Sequence, residues 1–384
     1  MLFLSSKQDC FQMRNEKLKA YNASRHIFSR GQVCHAPSVN INFDQSGVAS
    51  ACCLNRDHIL GRYPENSLME MWEGERADEL RKLIKEGDLS HGCQICENQI
   101  DGENYYGVHG RHFDSYASRA SSIIKRLTSQ SESLQMPQCM EFELSNICNL
   151  ECTMCNGHFS SLIRKNREQL PEQINKYDEA FVEQLISFLP HLKDAKFLGG
   201  EPFLIPIYYK IWDKIAEHNP NIKVHITTNG TVYNNRVKGV LEKLRCGIIM
   251  SIDSIERDTY ESIRINADYD RVMDNIKRFQ DYAKSTGSWC SFAVCPMTIN
   301  WKEMPDLIRH CNNNKTFVYF NTVFYPEELS LQSFPSLQLR GIIAYYEKQK
   351  FDGYGSLFRI NKMVFQGLIN QLKEWEREKA PNTV

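Results

Sequence analysis

The sequence has no excess of charge of either sign: 46 Lys and Arg stand against 47 Asp and Glu, a formal net charge of −1. That balance leaves no electrostatic footprint for nucleic acid or an anionic membrane surface, and nucleic acid is not supported as a partner. No run approaches the ~18 apolar residues of a membrane span. The N-terminal MLFLSSKQDC turns polar after its first four residues, which argues against a targeting segment. No membrane is expected as a partner, and the expected location is cytoplasmic. Internal repeats are lacking too, and the one biased stretch is a Ser-rich segment at 114–135.

A further lack is a fourth cysteine where three are gathered. Residues 148–155 read CNLECTMC, with thiols at Cys148, Cys152 and Cys155. A structural zinc site closes its tetrahedron with four protein ligands, whereas a [4Fe–4S] cluster one cysteine short keeps one iron open for an outside ligand. Cysteine is otherwise plentiful, at 14 residues, in a chain of 384 residues whose 42% hydrophobic content can fill a large core or two domains. In a cytosolic protein clustered cysteines bind metal more often than they form disulfides. Cys34, Cys52, Cys53, Cys93 and Cys96 form a second concentration. Cys10, Cys139, Cys246, Cys290, Cys295 and Cys311 are isolated and read as small buried apolar residues, with Cys295 set apart by its place near a strand end.

From residue 136 onward strand-like runs alternate with helix-like ones, the pattern of βα units around a parallel sheet. The strands fall at 139–145, 194–200, 223–229, 246–253, 290–297 and 317–324. Six units predict an α/β fold with a partial (β/α)6 barrel of the TIM type over 136–325, since too few residues remain for two more. Before it, VNINFDQSGVASACC reads as two short strands around a turn. NSLMEMWEGERADELRKLIKEG reads as one amphipathic helix, capped by Ser67 with Glu70 and stopped by Gly87. The predicted organisation is an N-terminal segment (1–33), a small α+β cysteine-rich domain (34–113), a linker (114–135), the barrel, and a C-terminal helical extension (326–384). The alternating charges of the last helix read as a solvated face.

The cysteine triplet follows the first barrel strand, at the C-terminal mouth where barrel enzymes place their sites. The second strand ends in Gly199-Gly200-Glu201-Pro202, where two residues without Cβ let backbone approach a ligand. The third ends in Thr228-Asn229-Gly230 and the fourth in Ser251-Ile252-Asp253, polar groups suited to ribose hydroxyls, and Arg264 is available for a carboxylate. Glu327 and Glu328 read as surface, and His91, His109, His112 and His158 as surface or supporting residues.

The triplet, GGEP, TNG and SxD on successive units resemble the radical S-adenosylmethionine (SAM) superfamily over 136–325. The resemblance implies that Cys148, Cys152 and Cys155 hold a [4Fe–4S] cluster whose open iron takes the amino and carboxylate groups of SAM. It places the methionyl amine at Gly199, Gly200, Glu201 and Pro202, the ribose at Asn229 and Ser251 with Asp253 alongside, and the methionyl carboxylate at Arg264. It implies reductive cleavage of SAM to a 5′-deoxyadenosyl radical and hydrogen abstraction from a substrate, by an oxidoreductase or mutase. Met154 stands where the family often has an aromatic residue, and SIDS replaces the commoner S-x-D-G. Cys34, Cys52, Cys93 and Cys96 resemble the ligand set of a twitch domain, the shorter relative of the SPASM domain, placed here before the barrel. That implies a second, auxiliary [4Fe–4S] cluster acting as an electron relay. Zinc fits four cysteines as well. Cys53 competes with Cys52, and the Gly-x4-Cys spacing selects Cys52. The implied partners are a small one-electron donor protein of flavodoxin or ferredoxin type and a small-molecule or peptide substrate. The competing reading is a non-catalytic iron–sulfur or zinc scaffold.

Overall fold

The computed structural model describes residues 16–117 and 135–379. Most of the Ser-rich linker and Cys10 lie outside the described residues. One sheet contains nine strands among those described. These are β1 (Asn40–Phe43), β2 (Val48–Ser50), β3 (Gly61–Arg62), β4 (Cys139–Phe142), β5 (Asp194–Phe197), β6 (Lys223–Thr228), β7 (Cys246–Ser251), β8 (Cys290–Val294) and β9 (Phe317–Phe320). They lie in the order β3-β2-β1-β4-β5-β6-β7-β8-β9. Neighbours from β4 to β9 are all parallel, and helices cross between them, which is the six-stranded partial barrel. Each of the six expected strands is present, shorter at its C-terminal end because the chain there leaves the ladder to build loops.

Alternation along each strand gives the barrel two chemically different faces. Outward, Phe142 stacks on Phe197 with ring centroids 5.0 Å apart, and Trp212 and Tyr208 of the helix Pro206–His218 cover them. Inward, Glu141 of β4 pairs with Lys196 of β5 at 2.8 Å. The crossing helices start where a side chain satisfies free backbone N–H groups: Asp178, Asn234 and Asp268 cap Glu179–Leu185, Asn235–Lys243 and Tyr269–Thr286, and Gly287 at φ +63° ends the last.

The cysteine-rich segment is joined to the barrel through its first strand. β1 pairs antiparallel with β2 and parallel with β4, Asn40 opposite Cys139 through Phe43 opposite Phe142. The segments on either side of 114–135 therefore share one sheet. The single helix expected at 66–87 is two, Leu68–Glu73 and Glu75–Glu86. Gly74 takes extended backbone at ψ +162°, and a Cβ there would lie 2.6 Å from the Glu70 carbonyl oxygen. The Ser67–Glu70 capping box and the Gly87 stop are as read from sequence. At the other end, Ser336–Glu347 and Ser356–Lys379 pack on each other and the latter on β9. The last helix is more than a solvated face, because it buries Phe365, Leu368, Leu372 and Trp375. Its fully buried Asn361 accepts from the Val318 N–H and donates to the Thr316 carbonyl oxygen, tying it to β9.

Candidate active site

The loop after β4 carries the triplet and is held from two sides. Ser161 Oγ accepts from the Cys148 N–H at 3.2 Å, Ser160 Oγ donates to the Leu150 carbonyl oxygen at 2.7 Å, and the Thr153 N–H donates to the Ile263 carbonyl oxygen at 2.9 Å. Burial pushes the thiols up, Cys148 to about 11 and Cys155 to about 12, and each is raised further by its neighbours in the triplet. Arg264 Nη1 lies 3.7 Å from Cys152 Sγ and Asn229 Nδ2 lies 3.9 Å from Cys148 Sγ. Thr153 Oγ1, within this loop, is buried without a hydrogen-bond partner. Three converging thiols beside a guanidinium, with an orphaned hydroxyl among them, fit an iron–sulfur cluster.

GGEP is built tightly against that loop. Gly199 has φ +107°, and a Cβ on Gly200 would lie 2.2 Å from the Ile147 carbonyl oxygen, one residue before Cys148. The Glu201 carboxylate is fully buried and occupied. It accepts from Thr228 Oγ1 at 2.8 Å, the Asn229 N–H at 2.7 Å and the Phe203 N–H at 3.2 Å, while burial pushes it up to about 7. Glu201 therefore ties the end of β5 to the end of β6, and Pro202 follows it buried. Asn229 joins Asn149 and Thr231 in a network with the triplet loop. Asp253 Oδ2 takes Arg264 through both Nε and Nη2 at 2.7 Å, and Oδ1 accepts the Cys295 N–H at 2.7 Å. The Arg264 guanidinium is thus largely committed to Asp253, leaving Nη1 toward Cys152. Arg167 donates to the Cys152 and Cys155 carbonyl oxygens. Sequence reading missed Asn149, Thr231 and Arg167, since no motif spacing marks them.

In the N-terminal half, Cys34, Cys52, Cys93 and Cys96 line one apolar cavity, together with residues such as Ile84, Leu89 and Phe113. The Ala36 N–H points at Cys34 Sγ at 3.4 Å, and backbone N–H groups of His109 and Gly110 face Cys96. A Cβ on Gly110 would lie 3.1 Å from Cys34 Sγ. Four thiols supplied with backbone donors in a cradle that a Cβ would fill fit a metal cluster. Cys53 turns the other way, into a second cavity of about 430 Å³. The inner ends of the barrel strands line that cavity with Thr227, Ser251, Ala293 and Tyr319, the cysteine-rich half adds Cys53 and both His109 and His112, and the C-terminal helix closes it with Leu368 and Trp375. Both histidines line this chamber: His109 is half-buried there, while His112 is also exposed, in keeping with its reading from sequence as a surface residue. Glu327 and Glu328 are exposed, as read.

Two family models match. The Radical SAM superfamily matches residues 142–311, and SPASM, an iron–sulfur cluster-binding domain, matches 34–97. The chain therefore carries a radical SAM domain over 142–311, a little under half of its length, and an iron–sulfur cluster-binding domain over 34–97. Those domains imply a SAM-binding [4Fe–4S] cluster and an auxiliary cluster. A probable GTP 3′,8-cyclase of Methanocaldococcus jannaschii is 27% identical over 177 residues, 45% of this chain and 55% of the relative. The radical SAM cyclopropyl synthase TigE of Paramaledivibacter caminithermalis is 26% identical over 182 residues, 44% of this chain and 37% of the relative. The chain thus spans about half the length of these relatives or less. Among solved structures, Streptococcus suis SuiB bound to S-adenosylmethionine is 17% identical, covering 71% of this chain and 58% of that one with a TM-score of 0.41.

Proposed function

We propose that this radical SAM enzyme abstracts hydrogen from an uncharged small molecule or peptide side chain held in the 430 Å³ chamber, with the auxiliary cluster as electron relay. When bound, the SAM cluster supplies reductive cleavage of SAM and a hydrogen-abstracting radical. The chain's own residues bind, orient and exclude water. Cys148, Cys152 and Cys155 hold the SAM cluster, and Cys34, Cys52, Cys93 and Cys96 the auxiliary one. Backbone at Gly199–Pro202 and side chains of Asn229 and Ser251 hold SAM, with Arg264 and Asp253 balancing charge beside Cys152.

One observation carries the reading. A single chamber runs from Ser251, on the SAM side, to Cys53, the chain neighbour of the proposed ligand Cys52. A substrate seated there lies between residues adjoining the two proposed redox centres, an arrangement that a scaffold protein does not require. Among the described residues lining the chamber there is no Asp, Glu, Lys or Arg, and burial pushes His109 down to about 4, so its ring is neutral at pH 7. A nucleoside triphosphate needs cations at its phosphates, so this lining favours an uncharged substrate over GTP. The reaction draws its electron from a small donor protein of flavodoxin or ferredoxin type. The test is anaerobic reconstitution followed by reduction with dithionite in the presence of SAM. The expected product is 5′-deoxyadenosine by mass spectrometry; iron-replete protein that yields none would contradict the proposal.

A further inference from the structure

Cys53 Sγ lies 3.5 Å from His109 Nε2. The Glu141 carboxylate completes a group whose three donor atoms all lie within 4.8 Å of one another. With Zn–S near ~2.3 Å, Zn–N near ~2.0–2.1 Å and a tetrahedral angle, sulfur and nitrogen on one zinc ion sit about 3.5 Å apart. We propose that Cys53, His109 and Glu141 form a mononuclear site for a divalent cation of zinc type, whose open position faces the 430 Å³ chamber.

The surroundings are those of a carboxylate ligand. Lys196 Nζ donates to Glu141 Oε1 at 2.8 Å, and Asn40 Nδ2 and the Cys53 N–H donate to Oε2, each at 3.1 Å. Hydrogen bonds of this kind orient a ligating carboxylate. A thiolate and a carboxylate cancel the charge of a divalent ion, leaving the Lys196 ammonium as the surplus. Asn40 is fully buried, and the Oδ1 of the same amide whose Nδ2 donates to Glu141 has no hydrogen-bond partner, an acceptor that a water beside the ion would satisfy. A plain thiol-to-imidazole hydrogen bond would also span 3.5 Å, but it supplies no such donor. The turn after β2 separates the two sites: Cys52 lines the four-thiol cavity and Cys53 the chamber. The ligand class for the open position is an uncharged oxygen, nitrogen or sulfur donor. That role as a substrate anchor rests on the chamber's being the substrate site; the ion site itself does not.

The test uses the full chain with its clusters reconstituted, given one equivalent of Zn2+ and desalted, with iron and zinc counted by mass spectrometry and zinc coordination read by X-ray absorption. The expected result is about one zinc per chain with a single sulfur neighbour and nitrogen or oxygen for the rest. Cys53→Ser and His109→Gln should each lower retained zinc about tenfold or more at unchanged iron. Either variant suffices should the other fail to fold. Absence of retained zinc, zinc equal to wild type in both variants, or four sulfur neighbours would overturn the site. Iron content reports on the cluster assignments separately, so loss of the zinc site and loss of the clusters are distinguishable.

Discussion

At Gly200 a missing Cβ decides how the molecule responds to change. The sequence suggests that a bulkier residue would weaken SAM binding and spare iron, but the nearest atoms to an added Cβ are Ile147 and Asn146 backbone, next to Cys148. Gly200→Val should therefore lower iron at the SAM cluster as well as SAM affinity, seen as fewer irons per chain after reconstitution; full iron with wild-type SAM affinity would contradict this. Among the cysteines, Cys152→Ala should abolish 5′-deoxyadenosine formation. Cys246→Ala should retain most of it, because that thiol is buried in the outer core, where it donates to the Leu244 carbonyl oxygen and meets the Tyr282 hydroxyl. Equal loss in both would count against the ligand assignment. Glu143 carries a pH dependence. Burial pushes it up to about 7 despite Arg56 alongside, from an ordinary 4.5. A folded-state value above the unfolded one means the proton is held more tightly in the fold, so this contribution is fully present below about 4.5 and lost as pH rises through about 7. Denaturation of the SAM-free protein between pH 5 and 8 should show stability falling across that window, with a shallower fall in Glu143→Gln; matching slopes would remove Glu143 as the cause.

At the scale of elements, the C-terminal helix is both a lid on the barrel's last strand and a wall of the chamber. Trp375→Ala removes a nearly buried indole and should cost about 3–5 kcal/mol in denaturant unfolding while leaving the iron count intact. A change below about 1 kcal/mol would mean that the helix is not packed as described. The six barrel strands were legible because strands covered on both sides read as short apolar runs between helical patterns. The triplet and GGEP were legible because close backbone approach and thiolate ligation demand particular residues at particular spacings. The pairing of β1 with β4 was not, since parallel partners far apart in the chain leave no local pattern. Nor was the bidentate hold of Arg264 on Asp253, since sequence shows each charge and not which partner reaches it first. The opposite orientations of Cys52 and Cys53 arise in the turn that follows β2, where no regular alternation predicts them, and only the structure shows what lies on each side.

On the scale of the whole molecule, one continuous sheet carries two thiol sites, and the chamber between them is closed by residues from the cysteine-rich half, the barrel and the C-terminal helix. The central claim is that two separate clusters are held by two separate cysteine sets. The most direct measurement is the iron content of the anaerobically reconstituted chain beside a variant with Cys148, Cys152 and Cys155 all changed to Ala. At four irons per cluster, the chain should bind about eight and the variant about four, with an electron paramagnetic resonance signal that SAM does not alter. A variant that binds stoichiometric zinc and no iron would contradict the account, because the N-terminal thiols would then hold a structural ion and the chamber would have lost its electron relay.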